Sequence, residues 1–559
     1  MKLIECVPNI SEGRDKSIIN EIANQVKQVS NVYLLDVDPG FDTNRTVITF
    51  VGEPEPVLEA AFLLIKRSSE LIDMRNHKGE HSRMGSTDVC PLIPVKNVSM
   101  QECVNLSKKL AKKVSKDLSI PVFLYENSAS NIDRVNLANI RKGEYEGMFE
   151  KIKQDNWKPD FGKSENNAKN GVIAIGAREF LIAYNINLNT FDKKIATDIA
   201  LDIREAGRAK RDKNGNIIRD KSGKMLKKPG RLKYCKAVGW YIDEYNQAQV
   251  SINLTNYKKT SIFKTFEEVR NEARKRGARV TGSEIVGLMP LDSLLDCGKY
   301  YLKKQKRSTG IPEKDILNIA IQSLGLSDIS TFDINEKIIE YRIDEQEKSF
   351  KNFKVEELVN LTSMGTPTPG GGSISALAGS FAMALSSMVA NLSFSKKGLE
   401  KHNKLHIEIA EKSQESKDRL LKLIDLDSNS YDLVLAAIRL PKKTQEDIDY
   451  RAKEIEKATI HAAEVPLEIL EISVNSFKLI DKLYDVGNPN SITDIGVGLY
   501  LLYSAAKGAS MNVRINAYDL NANHKKTFIN KLEKLDKLTE ELFIKTKIKI
   551  EKILKWSKN

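Results

Sequence analysis

Met74 to Val95 reads MRNHKGEHSRMGSTDVCPLIPV. Its first fifteen residues carry two histidines, two arginines, a glutamate and an aspartate. The stretch joins a predicted helix, Pro54 to Ile72, to a predicted strand, Asp88 to Val95. Chemistry-bearing residues on a helix-to-strand loop indicate an α/β scaffold that displays a site. His77, Glu80 and His81 suit three uses: proton transfer, metal binding, or an ordinary solvated loop.

Working outward, the same alternation continues on both sides. LIECVPNI and VYLLDVDP read as strands around a helix from Asp15 to Val29, and RTVITFVG is a strand rich in β-branched residues. DVCPLIPV, a helix from Gln101 to Asp117, PVFLYE and VIAIGA follow, closing the section near Ala177. A second section repeats the style. LIAYNINL, LKYCKAVGWYI, QAQVSINL and ARVTGSEIVGLMP read as strands, with helices from Asp192 to Glu205 and from Phe266 to Arg276. FDINEKIIEYRI, Phe332 to Ile343, reads as its last strand. DEQEKSFKN is a linker.

Beyond Val355 the period changes to 3.6. Ser373 to Leu392, Leu399 to Ile424, Ser430 to Ile438, Gln445 to Val474 and Lys525 to Lys555 all read as helices. The predicted architecture is a multidomain α+β chain. Two similar α/β sandwich subdomains, 1–179 and 180–343, are followed by a linker, 344–353, and an all-α bundle, 354–559. A cleft between the two α/β units is the expected ligand site.

Composition narrows the class. The five cysteines are scattered without a CxxC pair, and the opening MKLIECVPNISEG lacks the apolar core of a signal peptide, so a reduced, cytoplasmic protein is expected. Thr366 to Ser395 carries no charge, but its glycines and serines suit a helix buried by other helices better than a membrane span. The net charge is +13, and the stretch from Arg204 to Lys233 alone holds twelve Lys/Arg against three Asp/Glu. KNGN and KSGK within it are turn signals, so this basic stretch reads as an exposed hairpin that attracts anions.

His77-Lys-Gly-Glu80-His81 matches the HxxEH zinc string, but zinc chemistry of that kind needs a helix, and Gly79 with the following SRMGSTD opposes one. His402 and His406, four apart on a helix, lack a third ligand, and no metal is expected. No Walker loop or GxGxxG is present, so nucleotide binding has no motif. Asp36 and Asp38 end a strand, where a carboxylate can orient an imidazole or cap a turn. Gly371, Gly372 and Ser373 precede a helix, whose free N–H groups suit an anion or polar ligand, or serve as a cap with close helix packing.

The strings CVPNISEG, DVDPGFDTNRTVITFVG and LIDMRNHKGEHSRMGSTDVCPLIPV closely resemble glutamate formiminotransferase. AYNINL, GRLK, VGWY and QVSINL continue the match. TPTPGGGS, AAIRLPKKT, AAEVPLEI and GNPNSITDIGVG resemble formimidoyltetrahydrofolate cyclodeaminase. Their order resembles the fused formimidoyltransferase-cyclodeaminase family, in its bacterial type with a long basic insertion. The resemblance implies transfer of a formimino group from N-formimidoyl-L-glutamate to N5 of tetrahydrofolate. Cyclisation to 5,10-methenyltetrahydrofolate with loss of ammonia then follows, in histidine degradation.

By the same resemblance His81 is the transferase acid/base, and Asp38 orients it. Gly162, Lys163, Ser164, Asn170 and Gly171 lie in the folate-contacting segment. Asp427, ahead of Asp425, is the cyclodeaminase acid. Asn488, Ser491 and Asp494 line its site with Gly371, Gly372 and Ser373. Arg45, Arg75 and Arg83 are candidates for substrate carboxylates, which arginine binds bidentately. Tetrahydrofolate is the co-substrate, in polyglutamylated form, and Lys224, Lys227 and Lys228 of the basic hairpin would hold its tail. The partners implied are small molecules and further copies of the chain, as a ring of dimers, with neither nucleic acid nor membrane. Three rival readings stay open: N-formylglutamate as donor, a zinc hydrolase on the HxxEH string, and a nucleic-acid binder on the basic hairpin. The last lacks interleaved aromatics.

Overall fold

Apolar runs punctuated by turn residues set the strands of the N-terminal half. The computed structural model describes them within residues 2–41, 43–79, 82–165, 167–220, 223, 225–242, 245–344 and 349–554. Seven build one sheet: β1 (Leu3–Cys6), β2 (Asn9–Ile10), β3 (Val32–Gly40), β4 (Arg45–Gly52), β5 (Thr87–Lys96), β6 (Val122–Glu126) and β7 (Ile173–Ala177). β1 and β2 are two pieces of one row, since each pairs with both β4 and β5. β5, β7 and β6 run parallel. β4 lies inside the sheet and is buried from Ile48 to Gly52, whereas β3, which pairs with β4, leaves Asp36 and Asp38 exposed. Phe50 is fully buried on β4, and its loss to alanine would cost about 3–5 kcal/mol.

Local chemistry starts the helices that cover this sheet. α1 (Lys16–Ala23) begins at Asp15, whose carboxylate accepts the N–H groups of Ser17 and Ile18. α2 (Pro54–Leu71) opens on a proline, where no N–H is needed. α3 (Met100–Leu118) opens on a reciprocal Ser99–Glu102 capping box. Two short helices, α4 (Leu137–Arg141) and α5 (Glu144–Lys151), follow β6. Met84, Val89, Tyr125, Ile140, Met148 and Val172 form a small core of their own, which seats α4 and α5 on the strand ends.

A second sheet is antiparallel throughout, in the order β11 (Cys235–Ile242), β12 (Gln247–Leu254), β8 (Ile182–Leu188), β13 (Val280–Val286). Helices α6 (Lys193–Ile203) and α7 (Ile262–Lys275) accompany it. The basic stretch is the expected ribbon. Its strands β9 (Arg208–Ala209) and β10 (Lys227–Lys228) pair, bridges join Arg211 to Ile217 and Arg219 to Met225, and Lys227 and Lys228 are exposed. Lys224 lies outside the described residues.

Four helices come next: α8 (Leu291–Lys304), α9 (Glu313–Leu324), α10 (Ile334–Lys337) and α11 (Ile339–Asp344). The last two replace the strand expected for FDINEKIIEYRI. Asp333 caps α10 by accepting the Asn335 N–H at 2.8 Å, so a helix start overrides an ambiguous apolar run.

The chain divides into two units, Met1–Cys297 with Leu324–Gln346, and Gly298–Ser323 with Glu347–Asn559. The sequence reading counted 298–323 with the second α/β section, but these residues pack with the helical unit. The Gly310 carbonyl there accepts Asn391 Nδ2 at 2.7 Å and Ser387 Oγ at 3.1 Å, and Thr309 Oγ1 donates to Glu411 at 2.6 Å.

The helical unit holds α12 (Val355–Thr362), α13 (Gly371–Ser393), α14 (Asn403–Ile438), α15 (Gln445–Val486), α16 (Ile492–Tyr518) and α17 (Ala522–Leu554). α13 packs against α14 and α16 around Met383, Leu420, Leu423, Leu499 and Leu502. It is long and apolar enough to cross a membrane, and 61% of its most apolar window is buried inside the unit. α14 is continuous where the sequence reading broke it between Ile424 and Ser430. Its serines do not disrupt the turn: Ser430 Oγ donates back to the Asp427 carbonyl at 2.7 Å. α16 is a full helix that the list of apolar periods omitted. α15 contains Pro466, which cannot donate to the carbonyl four residues earlier. That carbonyl, of Ala462, instead accepts Asn516 Nδ2 of α16 at 2.7 Å.

Candidate active sites

Three stretches of the first unit are stitched together around the opening loop. Asn44 Oδ1 accepts the Gly13 N–H at 2.9 Å, and its Nδ2 donates to the Lys78 carbonyl at 3.0 Å. Met74 N–H donates to the Lys169 carbonyl at 2.8 Å, and Ser86 N–H to the Asn170 carbonyl at 2.9 Å. Gly85 and Gly171 form a bridge, and a Cβ on Gly171 (φ +66) would lie 2.1 Å from the Met84 carbonyl. Only glycine permits that approach. The folate segment expected from the sequence thus meets the 74–86 loop through Asn170 and Gly171. Gly162, Lys163 and Ser164 are exposed farther along it. Asn170 Oδ1 is buried and has no hydrogen-bond partner among the described residues.

Glu80 and His81 lie outside the described residues, so the pairing expected between His81 and Asp38 does too. Asp38 stands exposed on β3, opposite Val47. Partial desolvation of its carboxyl on this otherwise exposed strand end, then the neighbouring Asp38 charge, raises the pKa of Asp36. His77 is buried, and both ring nitrogens are engaged. Nε2 lies 2.8 Å from the Asn44 carbonyl, which can only accept, so Nε2 carries the proton. Nδ1 then accepts Arg83 Nε at 3.3 Å. Burial lowers the His77 pKa, which favours this neutral form. His77 is a structural tie, with no nitrogen left for a metal. Among the described residues no group of three His, Cys, Asp or Glu side chains is placed to hold a metal ion.

The candidate arginines separate. Arg75 is exposed and paired with Asp73. Arg83 is neutralised by Glu144 at 2.8 Å and Glu146 at 2.6 Å. Arg45 is half-buried and reaches Asp88 at 3.0 Å, with Asn9 Oδ1 at 2.9 Å from its Nε. Asp88, 1% exposed, also binds Arg141 of α4. Sequence reasoning missed Asp88, Arg141 and Asn9. Asp88 was visible in the opening stretch, but nothing local ties it to Arg141.

In the helical unit the start of α13 meets the middle of α14. Ser373 Oγ lies 3.0 Å from Asp427 Oδ2, 3.0 Å from the Ile424 carbonyl and 3.1 Å from Ser428 Oγ. A Cβ on Gly372 would lie 2.2 Å from Asp427 Oδ1. Burial raises the Asp427 pKa, opposed by the Ser373 hydroxyl and N–H. A carboxyl whose pKa is raised holds its proton to a higher pH than a free one, and such a group at a helix start can give a proton to a leaving amine. Asp425, two residues away, is occupied differently: its carboxylate accepts the Phe350 N–H at 2.6 Å and the Ser349 hydroxyl. That contact ties down part of the stretch read as a linker. Asn512 of α16 also reaches this end, with Nδ2 3.5 Å from where a Cβ of Gly371 would sit. The sequence reading did not find it.

Asn488 and Asp494 are not brought to Asp427 within the chain. Asn488 N–H donates to Ser393 Oγ at 2.7 Å, at the other end of α13. At 1.5 Å per residue, Ser373 and Ser393 are about 30 Å apart. Asn488 Oδ1 caps the turn at Asn490 and accepts Lys396 Nζ, and Asp494 stands in the first turn of α16. His406 is buried with Nε2 2.8 Å from the Val486 carbonyl.

Comparison with known proteins covers both units. The family model for the formiminotransferase domain, N-terminal subdomain, matches residues 3–178. That for the formiminotransferase domain matches 183–344, and that for formiminotransferase-cyclodeaminase matches 354–534. A formimidoyltransferase-cyclodeaminase of Dictyostelium discoideum is 41% identical over 521 residues, 93% of each chain. That of Mus musculus is 38% identical over the same shares. A glutamate formimidoyltransferase of Streptococcus pyogenes serotype M1 is 43% identical over 302 residues, 54% of this chain and 94% of that one. The chain belongs to the formiminotransferase-cyclodeaminase family.

Proposed function

We infer that this chain is a bifunctional folate enzyme of histidine degradation. It transfers the formimino group of N-formimidoyl-L-glutamate to N5 of tetrahydrofolate, then closes N10 onto the same carbon and expels ammonia. Family membership supplies the reactions. The geometric observation that carries the second is Asp427, a half-buried carboxyl facing the start of α13.

In the transfer, N5 attacks the formimino carbon and a tetrahedral intermediate forms. His81 takes the N5 proton and returns it to the departing glutamate nitrogen, and Asp38 favours its imidazolium. The stitched loops bring the folate segment beside the residues that follow His81, and the orphaned Asn170 Oδ1 offers an acceptor to a ligand N–H. In the cyclisation, N10 attacks and Asp427 protonates the leaving amine. Gly371, Gly372 and Ser373 leave backbone room and N–H groups for the substrate. The two sheets of the first unit serve as the two transferase subdomains.

The folate is polyglutamylated in this reading, and the exposed Lys227 and Lys228 hold its anionic tail. The protein works in the cytoplasm as a homo-oligomer. Asn488 and Asp494, remote from Asp427 in their own chain, are the residues whose site role most needs a test.

The deciding assay supplies formimidoylglutamate and tetrahydrofolate and follows methenyl-folate absorbance and ammonia, with N-formylglutamate as the competing donor. His81→Ala should stop transfer, and Asp427→Ala should leave transfer intact and stop cyclisation. Full activity in either variant refutes that assignment. Neutralising Lys227 and Lys228 should release more intermediate from polyglutamate substrate, and an unchanged fraction rejects the tail-holding role.

A further inference from the structure

Asp88 is one carboxylate shared by two guanidinium groups. It is 1% exposed. Oδ1 accepts the Met84 N–H at 2.9 Å, and Oδ2 accepts both Arg45 Nη1 at 3.0 Å and Arg141 Nη2. Arg45 spends further donors on Asn9 Oδ1. Arg141 does not. Among the described residues its Nη1 makes no hydrogen bond, and its Nε is buried without a partner. Its side chain is 15% exposed, so this donor-rich face is largely withdrawn from water. Nearby arginines have their terminal donors engaged: Arg83 has two glutamates, and Arg134, whose Nε is likewise buried without a partner, has Asp160 and two backbone carbonyls on its Nη atoms.

A guanidinium held at one corner by a buried carboxylate, with its other donors unspent, is built to receive a second carboxylate. The reaction inferred above offers two sources, the glutamate of the donor and the glutamate tail of folate. Position favours the donor. Met84, whose N–H fixes Asp88, follows the proposed acid/base His81 by three residues in the sequence. The donor's carboxylates lie on the same small skeleton as its reacting nitrogen. The folate tail is separated from N5 by the aminobenzoyl ring. α4 and α5 are seated on the small core that includes Met84 and Tyr125, so Arg141 is held on the same platform as the loop.

We propose that Arg141 binds a carboxylate of the donor's glutamate skeleton, with Asp88 as the residue that positions it. This rests on the transferase reading.

Arg141→Gln and Arg141→Lys in the full chain test it. Each is assayed with N-formimidoylglutamate and with its side-chain amide and α-amide analogues. Acceptors are tetrahydrofolate and tetrahydropteroate, which lacks the glutamate tail. In Arg141→Gln the donor KM should rise ~10- to 100-fold, the loss of a charge-assisted pair. The folate KM should stay within about twofold. The preference for the parent donor over one amide analogue should disappear. Arg141→Lys keeps the charge but loses the planar fork, so its donor KM should rise less. It carries the test alone if Arg141→Gln does not fold. A raised tetrahydrofolate KM with an unchanged donor KM overturns the proposal and moves Arg141 to the folate tail. Unchanged constants for both substrates overturn it too, leaving Arg141 as a clamp on Asp88. Absence of formimidoyl transfer in the unaltered chain would instead reject the transferase reading, before any variant is compared.

Discussion

Gly372 and Asp427 are in mutual exclusion: a Cβ at 372 would lie 2.2 Å from Asp427 Oδ1 and 2.6 Å from its carboxyl carbon. Gly372→Ala must therefore displace the carboxyl or the start of α13. A misplacement of about 1 Å costs roughly 100-fold in rate. We expect cyclisation to fall by that order while formimino transfer is unchanged, read as 5-formimidoyltetrahydrofolate accumulating without methenyl absorbance. Equal rates for both steps would reject the close contact.

Asp425 and Asp427 should part in their phenotypes. Asp425 caps the turn at Phe350 and Asp427 faces the start of α13. Asp425→Ala should lower stability by about 1–2 kcal/mol in denaturant unfolding and keep cyclisation. Asp427→Asn should abolish cyclisation with little loss of stability.

The raised pKa of Asp427 gives cyclisation a direction with pH. With Asp427 as the proposed acid, the rate should decline as pH rises through its folded pKa. Transfer, which uses a different group, should not share that limb. Parallel pH–rate profiles of the two half-reactions check this.

Glu5 makes a second pH prediction, for stability. It is fully buried on β1, and burial lifts its pKa from 4.5 to about 7, with the Arg178 charge opposing. The folded chain holds this proton to a higher pH than the unfolded chain does. Stability should therefore fall as pH rises between about 4.5 and 7 and level off above, by about 3 kcal/mol for this group. Glu5→Gln should flatten that slope in urea titrations taken at several pH values.

Much of the α/β half was legible because its strands are β-branched runs bounded by turns and its helices carry apolar residues near a 3.6 period. FDINEKIIEYRI misled because isoleucines at mixed spacing fit both periods, and the Asp333 cap decided for helix. The serines of LDSNSYD misled in the other direction. They look like breakers, yet Ser430 closes on its own helix. Motif matching proposed Asp427, and the fold sets its carboxyl against Ser373 at the start of α13. The same matching grouped Asn488 with it, because a motif shows which residues matter and not where the chain carries them. Asp88 and Arg141 are 53 residues apart, and only the fold makes them neighbours.

Pro466 offers a test of coupling between helices. Asn516→Ala should leave the Ala462 carbonyl without a donor and cost about 1–3 kcal/mol. Pro466→Ala restores an N–H that can reach the same carbonyl, so the double variant should lose less than the sum. Additive losses in a double-mutant cycle would reject the substitution of one donor for the other.

That vacancy in α15 has a wider effect. A helix with every carbonyl satisfied can slide or rotate against its neighbour at little cost in hydrogen bonds. One unsatisfied carbonyl is a fixed address, and Asn516 reads it. Asn512 lies one turn away on the same helix and stands against Gly371. The defect in α15 thus acts as a locating pin for α16, and through it sets where an amide side chain enters the space in front of α13.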